Sequence, residues 1–310
     1  MLGQRILLNQ TYAAAIDSST VQYRIRGGKP MRGIGFDLRF VAAADVLPQN
    51  SPELWVQRIT MRGDSKVLMD LTGMEAWNLA NYQLLGQAIR NVSATTAPRS
   101  AWFLEFGRDS AVVPDDYTDL TLDLTFGTPT LVTAGAITSG NLTVWAEEQQ
   151  YKPQSGHTRR FLRKEVALVA AGELEVEVPH RTGKIDSLLL IAIDTAQTLI
   201  TFAKDATDAN IGNVRISTHD SRGRTDDFRS SWRAMQAHGL MRAQGHQWDA
   251  LASTLSDVET RGTCFIPIAE TYGGAVDFSG ASDLILAPTV VTPATTLVVL
   301  SNLLVPNTAA

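Results

Sequence analysis

Apolar and polar residues alternate with a period of two along most of this chain, and the pattern is laid out twice. Leu120, Leu122 and Leu124 alternate with Thr121, Asp123 and Thr125; Leu142 and Val144 with Thr143 and Trp145; Leu174, Val176 and Val178 with Glu173, Glu175 and Glu177. Residues of one parity on a strand face a core and those of the other face solvent or a partner, so these segments read as half-buried antiparallel strands. At an offset of about 150 residues the same layout returns with almost no residue identity. The strand Gly33–Val41 matches Lys184–Ile191. Lys66–Asp70, a strand ending in Asp and running into a helix around Trp77, matches Asn213–Asp220 and a helix around Trp232. Ala101–Phe106 then matches Cys264–Ile268, Asp119–Phe126 matches Asp283–Ala287, and Asn141–Ala146 matches Thr296–Ser301. Two copies of one strand-rich unit suit a particle-building or binding scaffold better than a single catalytic centre.

With 310 residues the chain can bury two cores, because one core stops growing near roughly 250 residues. Candidate strands lie at 19–26, 31–42, 53–61, 65–71, 100–106, 118–126, 130–133 and 140–147, then at 160–169, 173–178, 184–193, 197–203, 212–219, 262–269, 282–287 and 295–304. About eight per half is what a jelly roll uses to close two four-stranded sheets. The expected fold is therefore all-β: two tandem eight-stranded antiparallel jelly rolls, each with one helix inserted between strands. The polar, Pro- and Gly-containing stretch Gln149–His157 reads as the linker, dividing the chain into 1–153 and 154–310. One helix is expected over 73–90, with Met74, Trp77, Leu84, Leu85 and Ala88 on a stripe, and another over 226–243, with Phe228, Trp232, Met235 and Leu240. Asp226 and Asp227 sit where a cap and the positive end of the helix dipole favour carboxylates. A weak helix is expected over 4–15, and a helical or irregular excursion over 246–258.

The formal charge of −5 argues against a chain that wraps nucleic acid through its phosphates, and no sequence-specific nucleic-acid binding is expected. The basic cluster Arg159-Arg160-Phe161-Leu162-Arg163-Lys164 reads first as a solvated or interface face, and second as a contact to anionic lipid or nucleic acid. Cys264 is the only cysteine, which rules out an intramolecular disulfide and a cysteine-based zinc site. Arg5, Ile6-Leu7-Leu8 and Ala13-Ala14-Ala15 loosely mimic a signal peptide, but the apolar run is too short for one. No apolar stretch approaches the roughly 18 residues of a membrane span.

Catalytic signatures are scarce. His219-Asp220-Ser221 holds the residue types of a hydrolytic triad, yet consecutive strand side chains diverge, so the tripeptide reads as a turn between strand and helix. Histidines 157, 180, 219, 238 and 246 are scattered without a metal-ligand spacing. Asp115-Asp116 with Asp119, and Asp205 with Asp208, could offer oxygens to a structural calcium, but neither has the spacing of a calcium loop and turn chemistry explains both. Trp77 and Trp232 read as core anchors rather than stacking platforms. Trp145, opposite in parity to Leu142 and Val144, is expected at a subunit contact or beneath a second layer. Catalytic, cofactor-binding and metal-binding residues are all expected to be none. Asn9, Asn91 and Asn141 begin glycosylation triplets, which carry little weight here.

The strand Gly33–Val41, the strand-to-helix unit Lys66–Gln87 with its repeat Asn213–Leu240, and the closing strands Asn141–Glu147 and Thr296–Leu304 together resemble the double-jelly-roll major capsid proteins of tailless, membrane-containing icosahedral phages, the corticovirus- and tectivirus-like group. The resemblance spans about Ser18 to Leu304 and rests on architecture and length, not on a diagnostic motif. It implies a self-assembling virion structural protein and no enzyme. Three chains would form a pseudo-hexagonal capsomer that tiles an icosahedral shell around an internal membrane, beside neighbouring capsomers, vertex or penton proteins and minor capsid proteins. Synthesis would take place in the host cytoplasm. Gln4–Ala15 becomes, by resemblance, an arm tying trimers to each other or to lipid, against the plainer reading of a packed amino terminus. Ala243–Arg261 becomes an outward loop. A two-domain carbohydrate-binding or attachment protein, and a double-jelly-roll glycan amidase, stand as alternatives.

Overall fold

A computed structural model of the chain describes residues 3–13, 19–42, 52–83, 88–91, 97–106, 110–127, 137–152, 157–180, 183–194, 211–242, 263–293 and 295–306. The chain divides into two compact units, the first reaching to Arg159 and the second formed by Arg160–Arg242 and Thr260–Pro306. The first unit runs through β1 (Gly3–Ala13), β2 (Thr20–Ile25), β3 (Met31–Ala42), β4 (Val56–Gly63), β5 (Lys66–Leu71), α1 (Gly73–Gln83), β6 (Ala88–Asn91), β7 (Arg99–Glu105), β8 (Leu120–Phe126) and β9 (Ile137–Glu148). Its strands order as β1-β9-β3-β7-β6 in one sheet and β5-β4-β8-β2 in the other. The chain changes sheet at nearly every connection, which is jelly-roll wrapping, with β6 added at one edge.

The second unit runs through β10 (His157–Leu168), β11 (Gly172–Glu173), β12 (Val176–Glu177), β13 (Lys184–Asp194), β14 (Ile211–Asp220), β15 (Gly223–Ser231), α2 (Trp232–Arg242), β16 (Thr263–Ile266), α3 (Ile268–Tyr272), β17 (Asp283–Val290) and β18 (Thr295–Pro306). Its strands order as β10-β18-β13-β16 and as β15-β14-β17, with β11 and β12 sharing the far side of β17. Position by position, β10 stands for β1, β18 for β9, β13 for β3, β16 for β7, β15 for β5, β14 for β4 and β17 for β8. The pair β11 and β12 stands for β2. One topology is therefore written twice, each copy with its helix between the same two strand positions, as the alternation pattern led us to expect.

Several local expectations are corrected. The segment read as a helix over 4–15 or as an arm is strand β1, paired antiparallel with β9 from Gly3↔Glu148 to Ala13↔Ser139. A register shift between Ile6 and Leu8 bulges this strand, so the consecutive Ile6-Leu7-Leu8 hid its alternation. The helix read over 73–90 ends at Gln83, and Ala88 belongs to β6. The helix read over 226–243 begins at Trp232, and Asp226 and Asp227 lie within β15. Consequently the counterpart of Asn213–Asp220 is Val56–Gly63, not Lys66–Asp70. The strands read at 130–133 and 197–203, the excursion 246–258, the loop Ala243–Arg261 and the pair Asp205 and Asp208 lie outside the described residues.

The two longer helices, α1 and α2, each start with a hydroxyl cap. The Thr72 hydroxyl accepts from Glu75 N–H at 3.2 Å while the Glu75 carboxylate accepts from Thr72 N–H at 2.9 Å, a capping box that satisfies two otherwise orphaned donors. For α2 the Ser231 hydroxyl accepts from Ala234 N–H at 3.1 Å. Trp77 and Trp232 are fully buried beneath their helices. In the first core Trp55 stacks on Phe126 with centroids 4.4 Å apart, and Tyr12 and Phe40 pack edge-on to it at 5.1 and 5.3 Å. Burial pushes the Tyr12 phenol up to about 12. The second core gathers Ile185, Leu188, Leu190, Val214, Ile216, Trp232, Leu284, Leu286, Leu297 and Val299. Each such side chain contributes roughly 1.5–3 kcal/mol. Among the described residues no helix is long and apolar enough to cross a membrane.

Candidate assembly surface

The residue types that suggested chemistry do not converge. His219 and Asp220 end β14, and the Asp220 carboxylate accepts from Arg222 N–H at 2.7 Å in the tight turn to β15. That turn joins two strands, not a strand and a helix. Asp115 and Asp116 lie in a short 3₁₀ turn, Pro114–Asp116. Asp116 pairs with Lys152, and Asp119 pairs with Arg24 at 2.7 Å, so two of these three carboxylates already have cations. His180 is buried between the carbonyl oxygens of Val178 and Ala281. Among the described residues no cluster of three or more His, Cys, Asp or Glu side chains could hold a metal ion. In the basic cluster, Arg163 pairs with Glu165 and the Lys164 ammonium donates to the Glu177 carbonyl oxygen. These two charges are engaged within the unit.

What the first unit does present is an organised outer face on the sheet β1-β9-β3-β7-β6. Ile34, Phe36, Leu38 and Phe40 point into the core, so the odd-numbered residues of β3 point outward. The strand registers align four outward rows. They are Gln4, Glu147, Gly33 and Glu105; then Ile6, Trp145, Gly35 and Phe103; then Asn9, Thr143, Asp37, Ala101 and Ile89; and then Thr11, Asn141, Arg39 and Arg99. Trp145 is thus on the outside, where its parity put it, with its indole laid across Gly35. Phe103 lies likewise across Gly33. A Cβ at either glycine would collide with the ring above it, so the two glycines act as notches that let flat rings lie against the sheet.

Charge brackets this aromatic row. On one side Arg32 bridges Glu105 and Glu147, reaching Glu147 at 2.9 Å. On the other side Arg99 grips Asp37 through two bonds, 2.7 and 3.0 Å, and Arg39 adds bonds of 2.7 and 3.0 Å. Burial alone would push the Asp37 carboxyl up, but the hydrogen bonds and charge of Arg99 and Arg39 outweigh it and hold the group below the ordinary carboxylate value. At the edge of the face Arg5 pairs with Glu148 at 3.0 Å and donates to the Gly27 carbonyl oxygen at 2.8 Å. Its guanidinium fills the space a Cβ would need at Gly28, whose φ of +118° also suits only glycine. Arg5 thereby ties β1 to the β2–β3 turn.

No protein-family model and no curated protein matches the sequence. Solved structures match its fold. The STIV MCP superposes with a TM-score of 0.76 at 13% identity, covering 99% of this chain and 97% of that one. A chain of the PBCV-1 virus capsid gives 0.62 at 10% identity, covering 98% and 94%. The major capsid protein of bacteriophage PM2 gives 0.56 at 11% identity, covering 98% of this chain and 100% of the other. At such identities the shared property is the fold, and that fold is the double jelly roll of viral major capsid proteins, followed over nearly the whole of each chain.

Proposed function

We propose that the chain is a major capsid protein, a virion structural protein that trimerises into pseudo-hexagonal capsomers and tiles an icosahedral shell over an internal membrane. The observation that carries this reading is the end-to-end match. The match to the PM2 capsid chain covers 98% of this chain and all of that one. Each chain then supplies two sandwiches, and three chains supply the six that a hexagonal outline needs. The partners are other copies of this chain, neighbouring capsomers, vertex or penton proteins, minor capsid proteins and the lipid of the membrane. The protein works in the capsid after synthesis in the host cytoplasm and carries out no reaction. We place the domain boundary in the polar stretch that precedes β10, giving domains 1–153 and 154–310. Native mass spectrometry of the purified protein tests the proposal: a stable trimer supports it, and a monomer that binds glycans overturns it.

A further inference from the structure

Three of the seven large hydrophobic side chains that stand exposed among the described residues, Ile6, Val41 and Ile89, belong to the outer face of the sheet β1-β9-β3-β7-β6. Ile6 with the half-buried Trp145 and Phe103 forms one apolar row, with Ile89 one register step away and Val41 beyond the Asp37 and Arg39 rows, and an exposed apolar row of this kind marks a protein contact. The charges on either side have opposite sign. Glu105 and Glu147 share the single guanidinium of Arg32, leaving one negative charge, whereas Asp37 is shared by Arg39 and Arg99, leaving one positive charge. A two-fold axis lying in this face, perpendicular to the strands and along the Ile6–Trp145–Phe103 row, turns the face onto itself. The row then meets its own image, and the acidic side of each copy lies over the basic side of the other. A face complementary to itself in this way is what an isologous contact requires.

We infer that this face docks a second copy of the same chain through a local two-fold axis, with the aromatic row at its centre and the Arg32 and Asp37 clusters exchanging partners across it. The inference rests on the capsid reading and names the surface by which one copy meets another. Residues on the axis meet themselves, so the two Ile6 side chains, each 62% exposed, face one another.

Site-directed crosslinking of the full chain tests the geometry. Treated with a short bis-maleimide, which spans the roughly 10 Å between facing sheets, Ile6→Cys should give a crosslinked dimer at least fivefold more abundantly than Val169→Cys, a still more exposed position in the second unit; Cys264 is buried and does not compete. Arg39→Glu and Glu147→Arg, each added to Ile6→Cys, should cut the yield about fivefold, and the two together should restore it. Circular dichroism establishes that each variant is folded; a variant that unfolds is replaced by Arg39→Gln or Glu147→Gln, for which a partial loss of yield is expected. Equal yields from Ile6→Cys and Val169→Cys, or no rescue in the double swap, overturn the inference. Trimers on native mass spectrometry without this crosslink would remove the two-fold contact and leave the capsid reading standing, whereas a monomeric chain removes both.

Discussion

Gly35→Ala should destabilise the first unit, although replacing a strand glycine ordinarily does the opposite. Alanine in place of glycine within a strand gains about 0.5–1 kcal/mol of backbone conformational entropy. At Gly35 the added methyl would enter the Trp145 ring, and even the more distant Cδ2 atom would lie at 2.8 Å. Carbon atoms in contact prefer roughly 3.5–4.0 Å, so the indole must back away by about 1 Å or swing off the sheet. Overpacking of this kind costs about 1–3 kcal/mol. The net expectation is a loss of about 0.5–2 kcal/mol, or roughly 1–8 °C in melting temperature for a unit of this size. With Trp145→Ala the obstacle is gone and the same Gly35→Ala change should stabilise by about 0.5–1 kcal/mol. Urea unfolding of the wild type, both single variants and the double variant gives the coupling directly, expected at about 1–3 kcal/mol. Stabilisation by Gly35→Ala in the wild-type background, or additive effects in the cycle, would refute the notch.

Asp37→Asn should cost about 1–2 kcal/mol at neutral pH, a value already reduced for the exposure of Arg39 and Arg99. Because the folded carboxyl is held low, its stabilisation is present above about pH 4 and fades as the pH falls through the lower folded value, so wild type and variant should converge in acid melting curves. Tyr12 runs the other way: raised to about 12 in the fold, it contributes fully below the unfolded value of about 10, and that contribution is lost as the pH rises from there. Alkaline melting should therefore spare Tyr12→Phe relative to wild type, and equal slopes would contradict the assignment. Removing the caps with Thr72→Ala or Ser231→Ala should cost about 1 kcal/mol each, with hydrogen exchange accelerated in the first turn of α1 or α2 respectively; exchange unchanged at both helix starts would show the caps to be idle.

The strands with strict alternation were legible from residues alone. β8 buries Leu120, Leu122, Leu124 and Phe126 and turns Thr121, Asp123 and Thr125 outward, and β3 occupies the residues its pattern marks, Met31–Ala42. What stayed hidden has a physical reason in each case. β1 carries a bulge that breaks its period. β15, Gly-Arg-Thr-Asp-Asp-Phe-Arg-Ser-Ser, lies at a sheet edge and is held by backbone pairing to β14, with few apolar residues to betray it. Its charged Asp226 and Asp227 resembled a helix start because propensity does not register an edge partner. The outer face was half visible. Parity put Trp145 outside, but the glycine notches and the flanking ion clusters depend on cross-strand register, which joins residues up to more than a hundred positions apart, such as Arg32 and Glu147.

Electron microscopy of the purified, unmodified protein addresses the central claim most directly, because two jelly rolls per chain make a trimer visibly six-lobed. The account predicts class averages of a pseudo-hexagonal capsomer with three-fold symmetry. Particles of a single chain with two lobes, across the concentrations at which a capsid protein assembles, would contradict it.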